Sequence, residues 1–374
     1  MRKYIEIDSV VPRLFFRRDI MMGIYHSKQW LADIDEVLAS LPELAMLANK
    51  RILVTGATGL ICSAVVDIIM RFNEKKMGSE IRVMAAGRTK RRFLDRFSCY
   101  AGKPYLCFVQ YDATKENKLD FECDYIIHGA SNSSPNKYVS EAVETMADNF
   151  IGMKNLLDFA RLYGVRRALY ISSSEVYGKK ENSLPYSEDE YGYVDLLVPR
   201  SSYAVSKRAT ETLCVSYASE YDLETVIVRP GHIYGPTASP NDNRISSAWA
   251  YDVAQGKDII MKSDGAQIRS YCYCLDCASA ILKVLIDGEN CHAYNISNPN
   301  AIVTIKEMAQ ILTKSGNVAL RMELPSDAEK QAFNPMSNSS LNSESLQKLG
   351  WEGLFDAERG FTHTVKILKE MMKE

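Results

Sequence analysis

Uninterrupted apolar runs are missing from this 374-residue chain: no stretch approaches the ~18 residues of a membrane-spanning helix, which removes membrane-embedded functions from consideration. An excess of charge is missing too. Lys and Arg number 45 against 47 Asp and Glu, a formal charge of −2, so no whole-chain field draws the protein to nucleic acid or an acidic membrane. Histidine is scarce at five residues, and the nine cysteines, at positions 62, 99, 107, 123, 214, 272, 274, 277 and 291, are odd in number and scattered. This opposes a disulfide scaffold and fits thiols in a reducing compartment. The single cluster, Cys272-Tyr-Cys-Leu-Asp-Cys277, has no second group at zinc spacing, so buried small thiols are expected and a metal centre is not. The opening MRKYIEIDSVVPRLFFRRDI mixes acids and arginines where a secretory signal would be apolar, so a cytoplasmic location is the expectation.

What is present is a large apolar fraction, 46% of the chain, enough for an extensive core. Residues 1–50 read as an added helical extension: Trp30, Leu31, Ile34, Val37, Leu38, Leu41 and Leu44 recur at helical spacing between Ser27 and Asn49, and this apolar face needs a partner on the main body or on another subunit. From residue 51 short apolar strands alternate with helices. Strand-like runs at 51–55, 81–86, 106–110, 125–128, 168–172 and 225–229 are separated by helical stretches that include 60–72, 139–163 and 204–221. That order predicts an α/β fold with a doubly wound parallel sheet. Residues 51–235 form its dinucleotide-binding half, with 268–297 returning to it, and 236–267 with 298–374 form a smaller C-terminal α/β lobe.

Thr55-Gly-Ala-Thr-Gly-Leu-Ile-Cys62 lies between the first strand and the first helix. There Gly56 and Gly59 let backbone N–H groups approach a pyrophosphate at the positive end of the helix. Cys62 takes the place of the usual third glycine, where the helix packs closely on the strand. After the second strand, where an acid ordinarily meets the ribose hydroxyls, the chain carries Arg88 with Lys90, Arg91 and Arg92 nearby. A guanidinium there can pair a 2′-phosphate, which opens NADP beside NAD, and a solvated basic loop is the competing reading. Asp112, after the third strand, is placed to hold the adenine amino group.

Ser202-Tyr-Ala-Val-Ser-Lys207 puts Tyr203 and Lys207 one helical turn apart on one face. An ammonium there lowers the phenol's pKa, so that the tyrosinate takes a hydroxyl proton while hydride leaves for a nicotinamide. Ser172-Ser-Ser-Glu-Val-Tyr-Gly178, following a strand, supplies a hydroxyl to share that proton. With these runs, His128-Gly-Ala-Ser, Asp148-Asn-Phe-Ile-Gly-Met-Lys-Asn-Leu-Leu, Arg229-Pro-Gly-His-Ile-Tyr-Gly-Pro and Arg269-Ser-Tyr-Cys-Tyr-Cys-Leu-Asp276, the chain over about residues 51–365 resembles the extended short-chain dehydrogenase/reductase family of nucleotide-sugar epimerases, dehydratases and decarboxylases.

The resemblance implies a nucleotide-diphosphate sugar bound between the two lobes and transient oxidation at C4 by NAD. It implies catalytic roles for Ser173, Glu175, Tyr203 and Lys207. Cofactor contacts follow at Gly56, Thr58, Gly59, Leu60, Ile61, Arg88, Asp112, Ala113, Ala130, Pro230, His232 and Ile233, besides Tyr203 and Lys207, and substrate contacts at Ser131, Asn149, Ser174 and Arg269. A homodimer through the helices 139–163 and 204–221 is also implied. His128 and His232 lie near the cofactor, where an isolated histidine is ordinarily structural.

Family members differ after the catalytic hydroxyl. Ser174-Glu175 resembles UDP-glucuronate decarboxylases and GDP-mannose dehydratases, whereas a 4-epimerase needs no acid there. Ala130-Ser-Asn-Ser-Ser-Pro-Asn-Lys-Tyr138 is similar to the A-S-x-x-S-P-x-x-Y loop of the decarboxylases. Decarboxylation is therefore the first expectation, with 4,6-dehydration and epimerisation or reduction as alternatives. A non-catalytic dinucleotide-binding module is the alternative of another class, opposed by the complete Ser-Tyr-Lys set.

Overall fold

The computed structural model describes residues 23–76, 78–115, 117–131, 137–323 and 337–373. The opening twenty residues, positions 132–136 of the Ala130–Tyr138 run and much of the polar stretch before residue 345 lie outside it. Seven strands, β1 (Arg51–Thr55), β2 (Arg82–Gly87), β3 (Leu106–Gln110), β4 (Tyr125–His128), β5 (Arg167–Ile171), β6 (Glu224–Pro230) and β10 (Ala293–Ile296), form one sheet in the order β10-β6-β5-β4-β1-β2-β3. Every neighbouring pair is parallel. Successive residues of β1 feed opposite faces: Ile52 and Val54 join one core, Leu53 the other. Both faces are covered, which is why the strands read as near-continuous apolar runs. The helices Leu60–Lys75 and Cys274–Asp287 pack together, as do Ala142–Tyr163 and Ser202–Tyr221. This is the doubly wound α/β architecture read from the alternation of strands and helices.

The smaller lobe is built from β7 (His232–Tyr234), β9 (Ile268–Tyr273) and β11 (Ile302–Thr304), a three-stranded sheet with β9 at its centre. A parallel pair, β8 (Ile259–Met261) and β12 (Leu320–Met322), and the helices Ile245–Ala254, Ile305–Gly316 and Ala357–Met372 complete it. Of residues 268–297, β10 extends the large sheet beside β6, whereas β9 pairs only within the small one. No helix among the described residues is long and apolar enough to cross a membrane.

The N-terminal helix, Lys28–Ser40, is shorter than its apolar period suggests. Pro42 has no N–H to continue the ladder, and the chain tightens into a 3-10 turn over Pro42–Leu47. Ser27 caps the start, its Oγ accepting from the Trp30 N–H at 3.1 Å. Trp30, Ile34, Val37 and Leu44 are wholly buried, against the helices Leu60–Lys75, Cys274–Asp287 and Ala357–Met372.

Candidate active site

A cavity of about 1420 Å³ opens where β1, β2, β4, β5 and β6 end, with the smaller lobe forming its far wall. Strand order reverses between β1 and β4, so their following segments leave in opposite directions and a crevice is left between them. Gly56 holds φ +66°, and a Cβ there would meet the Gly129 carbonyl oxygen at 2.8 Å. Only glycine permits both. The helix after it starts at Gly59, and no side chain caps its first amides, which leaves those N–H groups for an anionic ligand. Cys62 fits in the third-glycine place because its neighbour gives way: a Cβ on Gly129 would lie 2.3 Å from the thiol sulfur. These features fit the pyrophosphate of a dinucleotide.

Every cofactor residue expected from the sequence lines this cavity, as do Ser131, Ser174 and Arg269. Asn149 does not. It is fully buried behind the wall, accepting from the Ser131 hydroxyl at 2.8 Å and donating to the Thr145 carbonyl and the Ser206 hydroxyl at 3.0 Å each. Its amide is consumed inside the protein, so the expected substrate contact is corrected to a residue that fixes Ser131. His128 is structural: its Nδ1 lies 2.7 Å from Thr55 Oγ1, and its ring stacks on Tyr170. Burial and the Lys207 amine pull it down to about 3. His232 lines the cavity and is likewise pulled to about 3 by burial and by Arg269 and Arg244, so it stays neutral.

At the catalytic end Ser173 caps the short turn Ser174–Tyr177, its Oγ accepting from the Glu175 N–H at 3.2 Å. Glu175 pairs with Arg200 at 3.1 Å. Tyr203, from the first turn of Ser202–Tyr221, stacks on Tyr138 with ring centroids 4.2 Å apart and planes 9° apart. The Arg200 guanidinium lies over the other ring at 4.9 Å. The Lys207 amine is turned away from the phenol with which its spacing pairs it. Lys207 Nζ donates to the Ile171 carbonyl at 2.8 Å and faces the Tyr170 ring at 4.6 Å, farther from the Tyr203 ring at 5.6 Å. Burial therefore dominates both groups. It pushes Tyr203 up to about 12 against hydrogen bonds from Ser173 and Tyr138, and pulls Lys207 down to about 7 against the charge of Glu211.

The lysine shift has a measurable sign. Between about 7 and the ordinary lysine value of 10.5, the unfolded chain holds a proton on Lys207 that the folded chain lacks, so this group's contribution to stability grows with pH in that window and is lost as pH falls through 7. Wild type minus Lys207→Met should show a slope of up to about 1.4 kcal/mol per pH unit there in denaturation measurements. A flat difference would show the amine keeps its proton in the fold.

Sequence reasoning missed Tyr138, Asp148, Arg200 and Arg244 as cavity residues. Tyr138 and Asp148 lie inside runs that carried the resemblance, and Arg200 directly precedes Ser201-Ser202-Tyr203. Arg244 had no signal, because its place in the wall depends on the lobe's orientation. Among the described residues no group of His, Cys, Asp and Glu is arranged to hold a metal, and Cys272, Cys274 and Cys277 are buried free thiols.

The sequence profile of the NAD dependent epimerase/dehydratase family matches residues 52–297. UDP-glucuronic acid decarboxylase 6 of Arabidopsis thaliana is 32% identical over 307 residues, covering 82% of this chain and 84% of that one. UDP-glucuronic acid decarboxylase 1 of Xenopus tropicalis is 28% identical over 328 residues, 87% of this chain and 73% of its own. UDP-glucose 4-epimerase of Thermotoga maritima, solved with UDP-glucose, shares the fold at a TM-score of 0.71 and 22% identity, covering 86% of this chain and all of the other. With most of the chain matched by the profile and a glycine-lined crevice where its motif falls, the protein belongs to the NAD dependent epimerase/dehydratase family of enzymes.

Proposed function

We propose that the protein is a nucleotide-sugar decarboxylase that acts on UDP-glucuronate through transient oxidation at C4. The observation that carries this reading is Glu175 beside Ser173 and Tyr203 in one cavity, on a chain whose relatives include several UDP-glucuronic acid decarboxylases. The cavity's charge supports it. Arg88, Arg92, Lys179, Arg200, Arg244, Lys262 and Arg269 line it against Asp112, Asp148, Glu175 and Asp195, an excess of basic groups suited to a diphosphate and a carboxylate.

NAD, when bound, would supply the hydride acceptor and donor for C4, and its positive charge would bring the Tyr203 phenol down from the range that burial gives it. The chain's own part is proton handling. Tyr203, with Ser173, removes the C4 hydroxyl proton as the ketone forms. The uronate is then a β-keto acid, whose carboxylate leaves as carbon dioxide while its bonding electrons enter the ketone as an enolate, stabilised by the Tyr203 and Ser173 hydroxyls; C5 then takes a proton relayed from solvent by Glu175, which restores the ketone. Ser131, fixed from behind by Asn149, and Arg269 hold the ligand. NAD is favoured over NADP because Arg88 faces the charges of both Asp112 and Asp148, and a 2′-phosphate would meet those carboxylates. Val143, Met146 and Phe150 leave an apolar face of Ala142–Tyr163 exposed, which supports a homodimer through this helix.

The test is incubation with UDP-, dTDP-, GDP- and CDP-sugars followed by mass and NMR analysis. Loss of carbon dioxide from UDP-glucuronate is expected; loss of water, or an isomer of unchanged mass, would transfer the protein to the dehydratases or epimerases. Glu175→Gln should lower turnover about 10²-fold with the cofactor retained. Undiminished turnover would argue against decarboxylation and dehydration together.

A further inference from the structure

The helix Lys90–Arg96 follows Arg88 and carries Arg92 along the cofactor end of the cavity, yet none of its seven residues is buried. Its apolar packing is slight, Phe93 lying against Phe97 and Phe108 with ring centroids 5.6 Å apart in each case. Its polar anchor is its last residue: Arg96 donates to the wholly buried Asp67 at 2.6 Å and to the Tyr25 hydroxyl at 2.8 Å. Asp67, on the helix that starts at the glycine loop, also accepts from the Tyr25 hydroxyl and from Trp30 Nε1 at 3.2 Å. Tyr25 packs edge-on against Tyr100, and Arg96 lies over the Tyr25 ring at 5.3 Å. Two of the four members of this knot thus come from the segment that precedes the dinucleotide fold.

That segment is fixed in turn from its other side. Asp33 accepts from the Tyr273 hydroxyl at 3.1 Å and pairs with His363 at 3.0 Å, and Glu36 pairs with Arg359. Tyr273 ends β9, the strand that brings Arg269 and Tyr271 to the opposite wall of the cavity.

We propose that residues 23–40 are a working part of the dinucleotide site: through Tyr25 and Trp30 they position Asp67 and Arg96, and so hold Arg88 and Arg92 against the adenosine end of the cofactor. Tyr25 and Trp30 are positioning residues that touch no ligand. The proposal rests on the reading of this cleft as an NAD site.

The experiment is calorimetric titration of NAD, and separately of UDP, into the full-length wild type, Tyr25→Phe, Trp30→Phe, Arg88→Ala and the Tyr25→Phe/Arg88→Ala double variant, with thermal melts alongside. Loss of either neutral donor to Asp67 should weaken NAD about fivefold, while the affinity for UDP changes less than about twofold. The double variant should bind NAD no more weakly than Arg88→Ala alone, since both changes act on one contact. A lowered melting temperature with unchanged NAD affinity, or losses that add in the double variant, overturns the proposal alone. Absence of NAD binding by the wild type overturns the reading of the cleft with it.

Discussion

Tyr203→Phe is expected to lower turnover by about 10²- to 10⁴-fold while NAD stays bound. Phenylalanine keeps the ring that stacks on Tyr138 and removes only the oxygen, so cavity shape and the neighbouring Arg200–Glu175 pair are preserved. The nearby nitrogen bases are not placed to take over. His128 and His232 are held neutral, and the Lys207 amine is turned toward the Ile171 carbonyl. Product formation from UDP-glucuronate, with the cofactor quantified in the same sample, checks this. Near-normal turnover would mean that the proton leaves by another route, and a chain that binds cofactor with no turnover in either form would be a binding module.

The largest expected loss of stability comes from Glu211→Leu, about 3–5 kcal/mol. Arg229, at the end of β6 just before the cavity-lining Pro230, is buried and pairs with Glu211 through two hydrogen bonds of 3.0 and 2.7 Å. It also donates to the Tyr177 hydroxyl, the Glu188 carbonyl and the Tyr191 hydroxyl. Removing the carboxylate leaves a guanidinium out of water with dipoles alone for partners. Replacing both, Arg229→Met with Glu211→Leu, should recover much of the loss, because two apolar side chains carry no buried charge. Denaturation of the wild type and the two variants decides it. Equal losses in the single and double variants would assign the cost to packing.

The glycine loop, the alternation of strands and helices in the first half and the Ser-Tyr-Lys set were legible because each is a local pattern. A φ of +66° at Gly56, an apolar run covered on both faces, and a pair one helical turn apart all leave their mark within a few residues. Asn149 was misread for the converse reason: its run is recognisable, but whether an amide points into a cavity or back at Ser206 depends on a second helix. The anchor at Asp67 was hidden altogether. It is an acid in an apolar helix, and its three donors come from positions 25, 30 and 96. The direction of the Lys207 amine was hidden as well, because spacing gives proximity but not the Ile171 carbonyl to which it donates.

The placement of β10 has a consequence for how the chain is made. β10 lies on the edge beside β6, yet the whole of residues 231–292 is synthesised between them. Until that excursion is finished, β6 presents a bare row of backbone donors and acceptors to whatever chain is nearby. The half that grips the nucleotide therefore cannot close as an independent early unit on the ribosome. Nascent chains stalled within this interval should be the ones most prone to clump and most dependent on chaperones.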